Sequence, residues 1–264
     1  MILMLPSEMP ARHEDSVRKL YEDRAVAESY IRQRFATAWS RLLHETQVRV
    51  LNDLIAAHRF RNALELAPGP ARLAPDLRGI RFGVMVEASE AMLSAARTRL
   101  RSRGLENTWE VRPGNAFDLT GLDRTFDFAF TFRLIRHFTL PDRARLYEQI
   151  RNRLNPGGYL VFDAVNTVVR SRLDARAPPP RDALPVYDVT YTAAELGAEM
   201  RAHGFEVVML RDAVRRFDIQ SWLSYKLGPR FPSLAWHAVR ILENVPSSQP
   251  LEWVAVCRKT DTPR

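Results

Sequence analysis

Short apolar runs of five to seven residues alternate along this chain with segments whose apolar positions repeat at helical spacing. That alternation is the strongest constraint on its fold. The runs predict strands at Ala63–Ala67, Phe82–Glu87, Trp109–Pro113, Phe126–Phe132 and Tyr159–Ala164. Strands that alternate with helices imply a parallel sheet covered on both faces. Between them, Ser89 is placed to cap a helix through Met92 to Arg103. A second helix, Asp142–Leu154, stops at Asn155-Pro156-Gly157-Gly158. A short helix is expected around Ala71–Leu77.

The two ends read differently. From Val17 to His58 apolar residues recur at helical spacing, which predicts two or three helices. Residues 167–185 hold three consecutive prolines and read as a surface loop that could serve as a lid. A helix at Thr192–His203, a strand at Phe205–Leu210, an aromatic-rich helical insertion over 217–245 and a strand at Glu252–Arg258 complete the chain. The expected organisation is an N-terminal helical segment over 1–60 and an α/β core over 61–264.

Composition narrows the function classes. No run approaches the roughly 18 apolar residues of a membrane span. The opening Met1–Leu5 lacks a basic start and a small-residue cleavage site, so no signal peptide is expected. Cys257, the lone cysteine, excludes an intrachain disulfide or a cysteine-built metal cage and points to the cytoplasm. Six histidines without ligand-like spacing give no metal site. Net charge is +8, and only three of the 39 basic residues are lysines. The arginines are spread along the chain, a surface that attracts anions without specifying one.

The first strand leads into Ala67-Pro68-Gly69-Pro70-Ala71. Small residues at 67, 69 and 71 let a ligand approach the backbone. Pro68 and Pro70 have no N–H, so the turn cannot cradle a phosphate with successive amides. It suits an uncharged or cationic ligand. Glu87 ends the second strand, 22 residues after Glu65, where a carboxylate can accept both hydroxyl protons of a ribose.

In order and spacing, ALELAPGPA, GVMVEASEAML, RPGNAF, FDFAFTFRLIRHF and LNPGGYLVFD resemble the successive motifs of class I S-adenosylmethionine-dependent methyltransferases. The similarity covers roughly residues 15–165, with weaker likeness near the end. It implies a Rossmann-like sheet of seven strands, mostly parallel, with the last antiparallel and helices on both faces. It also implies S-adenosylmethionine as cofactor and S-adenosylhomocysteine (SAH) as product.

By the same resemblance, Glu65, Ala67 and Gly69 line the methionine part and Glu87 binds the ribose. Ala88 and Met92 pack the adenine, Asn115 and the amide of Ala116 hydrogen-bond it, and Phe117 covers it. Thr131, Phe132 and Arg133 meet the methionine chain through the backbone. AESYIRQRF resembles a helix that closes over the cofactor. Tyr30 and Arg34 share one face of it, and Arg34 is placed for the methionine carboxylate. Family members usually carry glycine at the places of Ala67 and Ala71.

For the acceptor, His137 is a candidate general base, with a pKa range suited to an O- or N-acceptor. Tyr187, Tyr191, Trp222, Tyr225 and Trp236 are candidates for the substrate wall. The reading is therefore methyl transfer to O or N, less readily C, of a small organic metabolite, by a monomer or homodimer. The alternatives are a quinone- or lipid-directed enzyme with peripheral membrane contact, a nucleic-acid methyltransferase, or a methyltransferase fold used without transfer. Thr131-Phe132-Arg133-Leu134 lacks the Asn/Asp-Pro-Pro-aromatic platform of nucleic-acid amino methyltransferases.

Overall fold

A computed structural model describes residues 35–176, 188–247 and 249–260. Helix α1 (Ala38–His58) starts where the Thr37 hydroxyl accepts from the Ser40 amide and the Ser40 side chain reaches back to the amide of Thr37. It ends at Arg59, in the left-handed region with φ 55°. The chain then runs β1 (Asn62–Leu66), β2 (Phe82–Glu87), α2 (Glu90–Ser102), β3 (Trp109–Pro113), β4 (Phe126–Thr131), α3 (Leu140–Arg153) and β5 (Leu154–Asn166). After these come α4 (Thr167–Arg176), β6 (Thr190–Tyr191), α5 (Ala193–Ala202) and β7 (Phe205–Ala213). Helices α6 (Phe217–Lys226) and α7 (Pro232–Glu243) and strand β8 (Glu252–Lys259) complete it.

The strands lie in the order β3-β2-β1-β4-β5-β8-β7. Strands β1 to β5 are parallel, and β8 runs antiparallel to β5 and β7. The chain moves outward from β1 to β3 and returns to β4 on the other side of β1. This reversal opens a crevice at the carboxyl ends of β1 and β4. The strands in this order are the expected seven; off this path, the two-residue β6 adds an eighth, parallel to β5.

Side-chain alternation divides the core. Leu64 and Leu66 join Leu146 and Ile150 of α3 and Leu196 and Met200 of α5 on one face. Ala63 and Met85 join Leu51 and Ile55 of α1 and Ala96 and Leu100 of α2 on the other. Each fully buried Leu, Ile or Phe contributes about 1.5–3 kcal/mol. By the same alternation, Glu65 and Glu87 point to the α1 side from adjacent strands.

Two expectations are corrected. The helix at 71–77 is only a 3-10 turn, Ala74–Asp76, because Pro75 removes a helical hydrogen bond. The loop expected from residue 167 begins instead as helix α4. There the Asn166 side-chain oxygen accepts the Val168 amide, Val169 is buried, and Arg170 pairs with Asp174 at 3.0 Å. The three prolines beyond it, like Tyr30, Arg34 and Tyr187, lie outside the described residues. The aromatic-rich helical insertion consists of the two helices α6 and α7. No helix among the described residues is long and apolar enough to cross a membrane.

Candidate active site

The crevice is built first by the turn after β1. Ala67, Gly69 and Ala71 all lie in the left-handed region, with φ of 50°, 57° and 52°. Only the glycine adopts that conformation without steric cost. The two alanines therefore hold strain at this turn. Ala67→Gly is expected to raise stability by up to about 1 kcal/mol, read as a higher urea midpoint at unchanged m-value.

The turn is pinned to the neighbouring strand. The Ala67 amide donates to Val86 O at 2.9 Å, and the Gly69 amide donates to Glu87 Oε2 at 3.0 Å. Glu87 Oε1 accepts from the amides of Ala88 and Ser89, at 2.9 and 3.0 Å. Burial raises the Glu87 pKa, while the amides of Ser89, Gly69 and Ala88 oppose the rise. Three of the four carboxylate lone pairs are thus occupied by backbone, and Oε2 keeps one. A bidentate grip on two hydroxyls requires one of these amides to give way.

Glu65, on β1 beside Met85 and Phe130, is 3% exposed. Burial raises its pKa to about 8; Arg72 opposes that rise and Glu87 adds to it. Its Oε2 atom is buried with no hydrogen-bond partner among the described residues. A buried carboxyl oxygen left unbonded is costly, and a cationic ligand would relieve it.

Arg72 follows the turn directly and is held by α1. Its Nη2 donates to Gln47 Oε1 at 2.7 Å, and its Nη1 lies 2.9 Å from His44 Nδ1. A guanidinium only donates, so Nδ1 accepts and the ring proton sits on Nε2, 3.1 Å from Asp76 Oδ2. Burial and Arg72 push the His44 pKa down to about 4, so the ring is neutral at pH 7. Sequence reasoning missed this unit; its one signal was a charged residue set against the turn.

The other predicted positions divide. The Asn115 side-chain oxygen accepts the Phe117 amide at 3.0 Å, so it shapes its own loop. Phe117 is buried in the core, edge-on to Phe138 at 4.8 Å. Ala88 is exposed, Ala116 half-buried and Met92 buried. The Thr131 hydroxyl donates to Leu66 O at 2.8 Å, joining β4 to β1 at the crevice. Phe132 is buried, and Arg133, at φ 66°, donates its amide to Asp163 Oδ1.

His137 ends a 3-10 turn, Ile135–His137, and is buried. Its Nδ1 lies 3.1 Å from Asp188 Oδ1. A carboxylate can only accept, so Nδ1 carries the proton and Nε2 is the basic nitrogen of the neutral ring. Arg136 grips the same carboxylate with Nε at 2.8 Å and Nη2 at 2.6 Å. Its Nη1 faces Asp163 at 3.4 Å and Glu252 at 3.6 Å. Burial raises the Asp188 pKa, but the hydrogen bonds from Arg136 and His137 outweigh it and hold the group well below the usual carboxylate range.

The candidate acceptor residues among the described ones lie on different elements. Tyr191 is 4% exposed, and its hydroxyl donates to Glu199 in a network with Arg143 and Tyr147. It is a core residue, not a substrate wall, because its ring packs inside and its hydroxyl is consumed there. Trp222 and Tyr225 are 57% and 60% exposed on α6. Trp236 is half-buried, with the guanidiniums of Arg41 and Arg240 over its ring at 4.9 and 5.6 Å.

Residues 63–158, from β1 into β5, match a family model described as a methyltransferase domain. Over these residues the chain is similar to a methyltransferase domain, and its sheet has the Rossmann-like topology expected of that fold. Among solved structures, the fold resembles magnesium protoporphyrin IX methyltransferase from Synechocystis PCC 6803 with bound SAH. That match has a TM-score of 0.63 at 10% identity, over 94% of this chain and 100% of that one. The DhpI-SAH complex gives a TM-score of 0.63 at 19% identity, over 96% and 100%. An S-adenosylmethionine-dependent methyltransferase from Clostridium acetobutylicum gives 0.59 at 13% identity, over 82% and 92%. None of the curated proteins matches the chain. Gly69 and Glu87 are joined at the crevice by a hydrogen bond, with Glu65 on the neighbouring strand, while Asn115 and His137 lie on the loops after β3 and β4.

Proposed function

We propose that this chain transfers a methyl group from S-adenosylmethionine to an oxygen or nitrogen atom of a small organic metabolite. The observation that carries the reading is the hydrogen bond from the Gly69 amide to Glu87, beside the buried oxygen of Glu65 that no described residue bonds. Without an amide cradle this crevice suits a cationic nucleoside better than a pyrophosphate. The bound cofactor supplies a methyl on a sulfonium sulfur; the protein supplies alignment and proton removal.

Glu65 would receive the ammonium of the methionine part, with Ala67 and Gly69 against the chain. Glu87 would accept a ribose hydroxyl on its remaining lone pair. Ala88 and Met92 would flank the adenine, and Asn115, Ala116 and Phe117 would form its far side. Thr131, Phe132 and Arg133 would line the methionine through their backbone, since the Thr131 hydroxyl is already committed to Leu66. The segment over 1–60, with Tyr30 and Arg34, would close the site. His137, oriented by Asp188, would take the acceptor proton at Nε2. A lone buried Cys257 fits a cytoplasmic role in small-molecule biosynthesis.

Calorimetric titration with S-adenosylmethionine, followed by an assay for SAH release with hydroxyl- and amine-bearing acceptors, tests the reading. Absence of binding heat would overturn it. Glu87→Ala is expected to weaken SAH binding by about tenfold or more, from lost hydrogen bonds to a charged group and a freed turn; unchanged affinity would remove the ribose assignment. His137→Ala is expected to slow turnover by about 10²-fold with SAH affinity retained. Full turnover across the pH range would dismiss it as the base.

A further inference from the structure

Seven of the eleven exposed large apolar side chains among the described residues lie between Ile219 and Val245. They occupy the outward sides of α6 and α7. On α7, Leu234 and Ile241 share one stripe, which Val245 extends just past the helix, while Ala235 and Val239 are buried on the inner side. On α6, Ile219 and Trp222 face outward, and Gln220 and Ser224 are buried inward. Among the described residues, this is an unpartnered apolar face on both helices.

Its charges have one sign. Arg216, Lys226, Arg230 and Arg240 are exposed in these helices and their connection. The acidic residues of the same stretch are turned to other work. Asp218 pairs with Arg172 at 3.5 Å. Glu243 accepts from the amides of Val214 and Arg215 and from the side chain of Gln220. Apolar and aromatic side chains rimmed by arginine and lysine suit a surface that is apolar beneath and anionic above. A second copy of this face would set cations against cations, in a chain already at +8.

We propose that the outward faces of α6 and α7 dock the protein on an anionic lipid bilayer. The helices lie in the headgroup region, with Leu234, Ile241 and Trp222 inserted and the four cations at the phosphates. This docks the protein at the bilayer surface through helices that do not cross it.

The test is cosedimentation of the full chain with phosphatidylcholine vesicles, with and without phosphatidylglycerol. Binding is expected only with the anionic lipid, and weakens as salt rises. Lys226→Glu with Arg230→Glu lowers vesicle affinity by about tenfold or more, and Leu234→Ser with Ile241→Ser does the same. Unchanged thermal transitions and SAH affinity show that these exposed substitutions leave the fold intact. Failure of the parent chain to bind anionic vesicles overturns the proposal, as does equal binding by both double variants. A dimer in sedimentation velocity that Leu234→Ser with Ile241→Ser dissolves, without vesicle binding, assigns the face to a second copy. Salt-sensitive binding of an oligonucleotide that this variant retains, without vesicle binding, assigns the charge to nucleic acid.

Discussion

Arg136→Met is expected to destabilise the fold by about 3–5 kcal/mol at neutral pH, the cost of leaving buried carboxylates without their cation. Arg136 is buried and bonds Asp188 in a bidentate grip while facing Asp163 and Glu252. These groups come from β5, β8 and the approach to β6, so one guanidinium joins three parts of the sheet. The backbone adds a tie, as the Val189 amide donates to Arg136 O at 2.7 Å. In the parent protein Asp188 is held below its ordinary pKa, so its contribution is present above about pH 4 and fades as acid protonates it. In the variant Asp188 keeps only His137 and Arg170 against its burial, so its carboxyl rises, and its penalty is largest at neutral pH and shrinks towards about pH 4. Urea unfolding at both pH values reads this difference. A variant within about 1 kcal/mol of its parent at neutral pH would show the network to be incidental.

Glu65→Gln is expected to move stability and cofactor affinity in opposite directions. In the cofactor-free protein, burial raises the Glu65 pKa to about 8. Above the ordinary carboxyl pKa the unfolded chain has lost this proton while the folded chain keeps it. Stability therefore falls with rising pH, by about 1.4 kcal/mol per unit, until the folded group also ionises near pH 8. Glutamine has no proton to lose, so the variant's profile lacks this slope and it exceeds its parent at pH 8. An ammonium beside Glu65 favours the ionised form, so SAH binding strengthens with pH up to about 8 and releases a proton. The variant loses that charge-assisted bond and binds about 10–100-fold more weakly, with a flatter pH profile. Calorimetry in buffers of different ionisation enthalpy counts the proton. Equal affinities and no proton release would separate Glu65 from the ligand.

Much of the fold was legible because its strands are continuous apolar runs. Phe82–Glu87 and Trp109–Pro113 fall where the sequence places them, and Ser89 caps α2 by accepting the Met92 amide. Helix α4 was not legible, since its residues are mostly polar and prolines follow. Packing of Val169 and the Arg170–Asp174 pair favour the helix there. Strand β6 is two residues long, too short for any periodicity, and exists because β5 offers an edge to pair with.

The sequence by itself determined the parallel sheet, the small-residue turn and the two carboxylates at strand ends, because each follows from local spacing along one element. Tertiary structure decided their working state. It buried Glu65 beside Arg72, spent three lone pairs of Glu87 on backbone amides, drew Tyr191 into the core and joined His137 to Asp188, 51 residues away. Desolvation and pairing between distant segments set ionisation and exposure, and neither is written in the order of neighbouring residues.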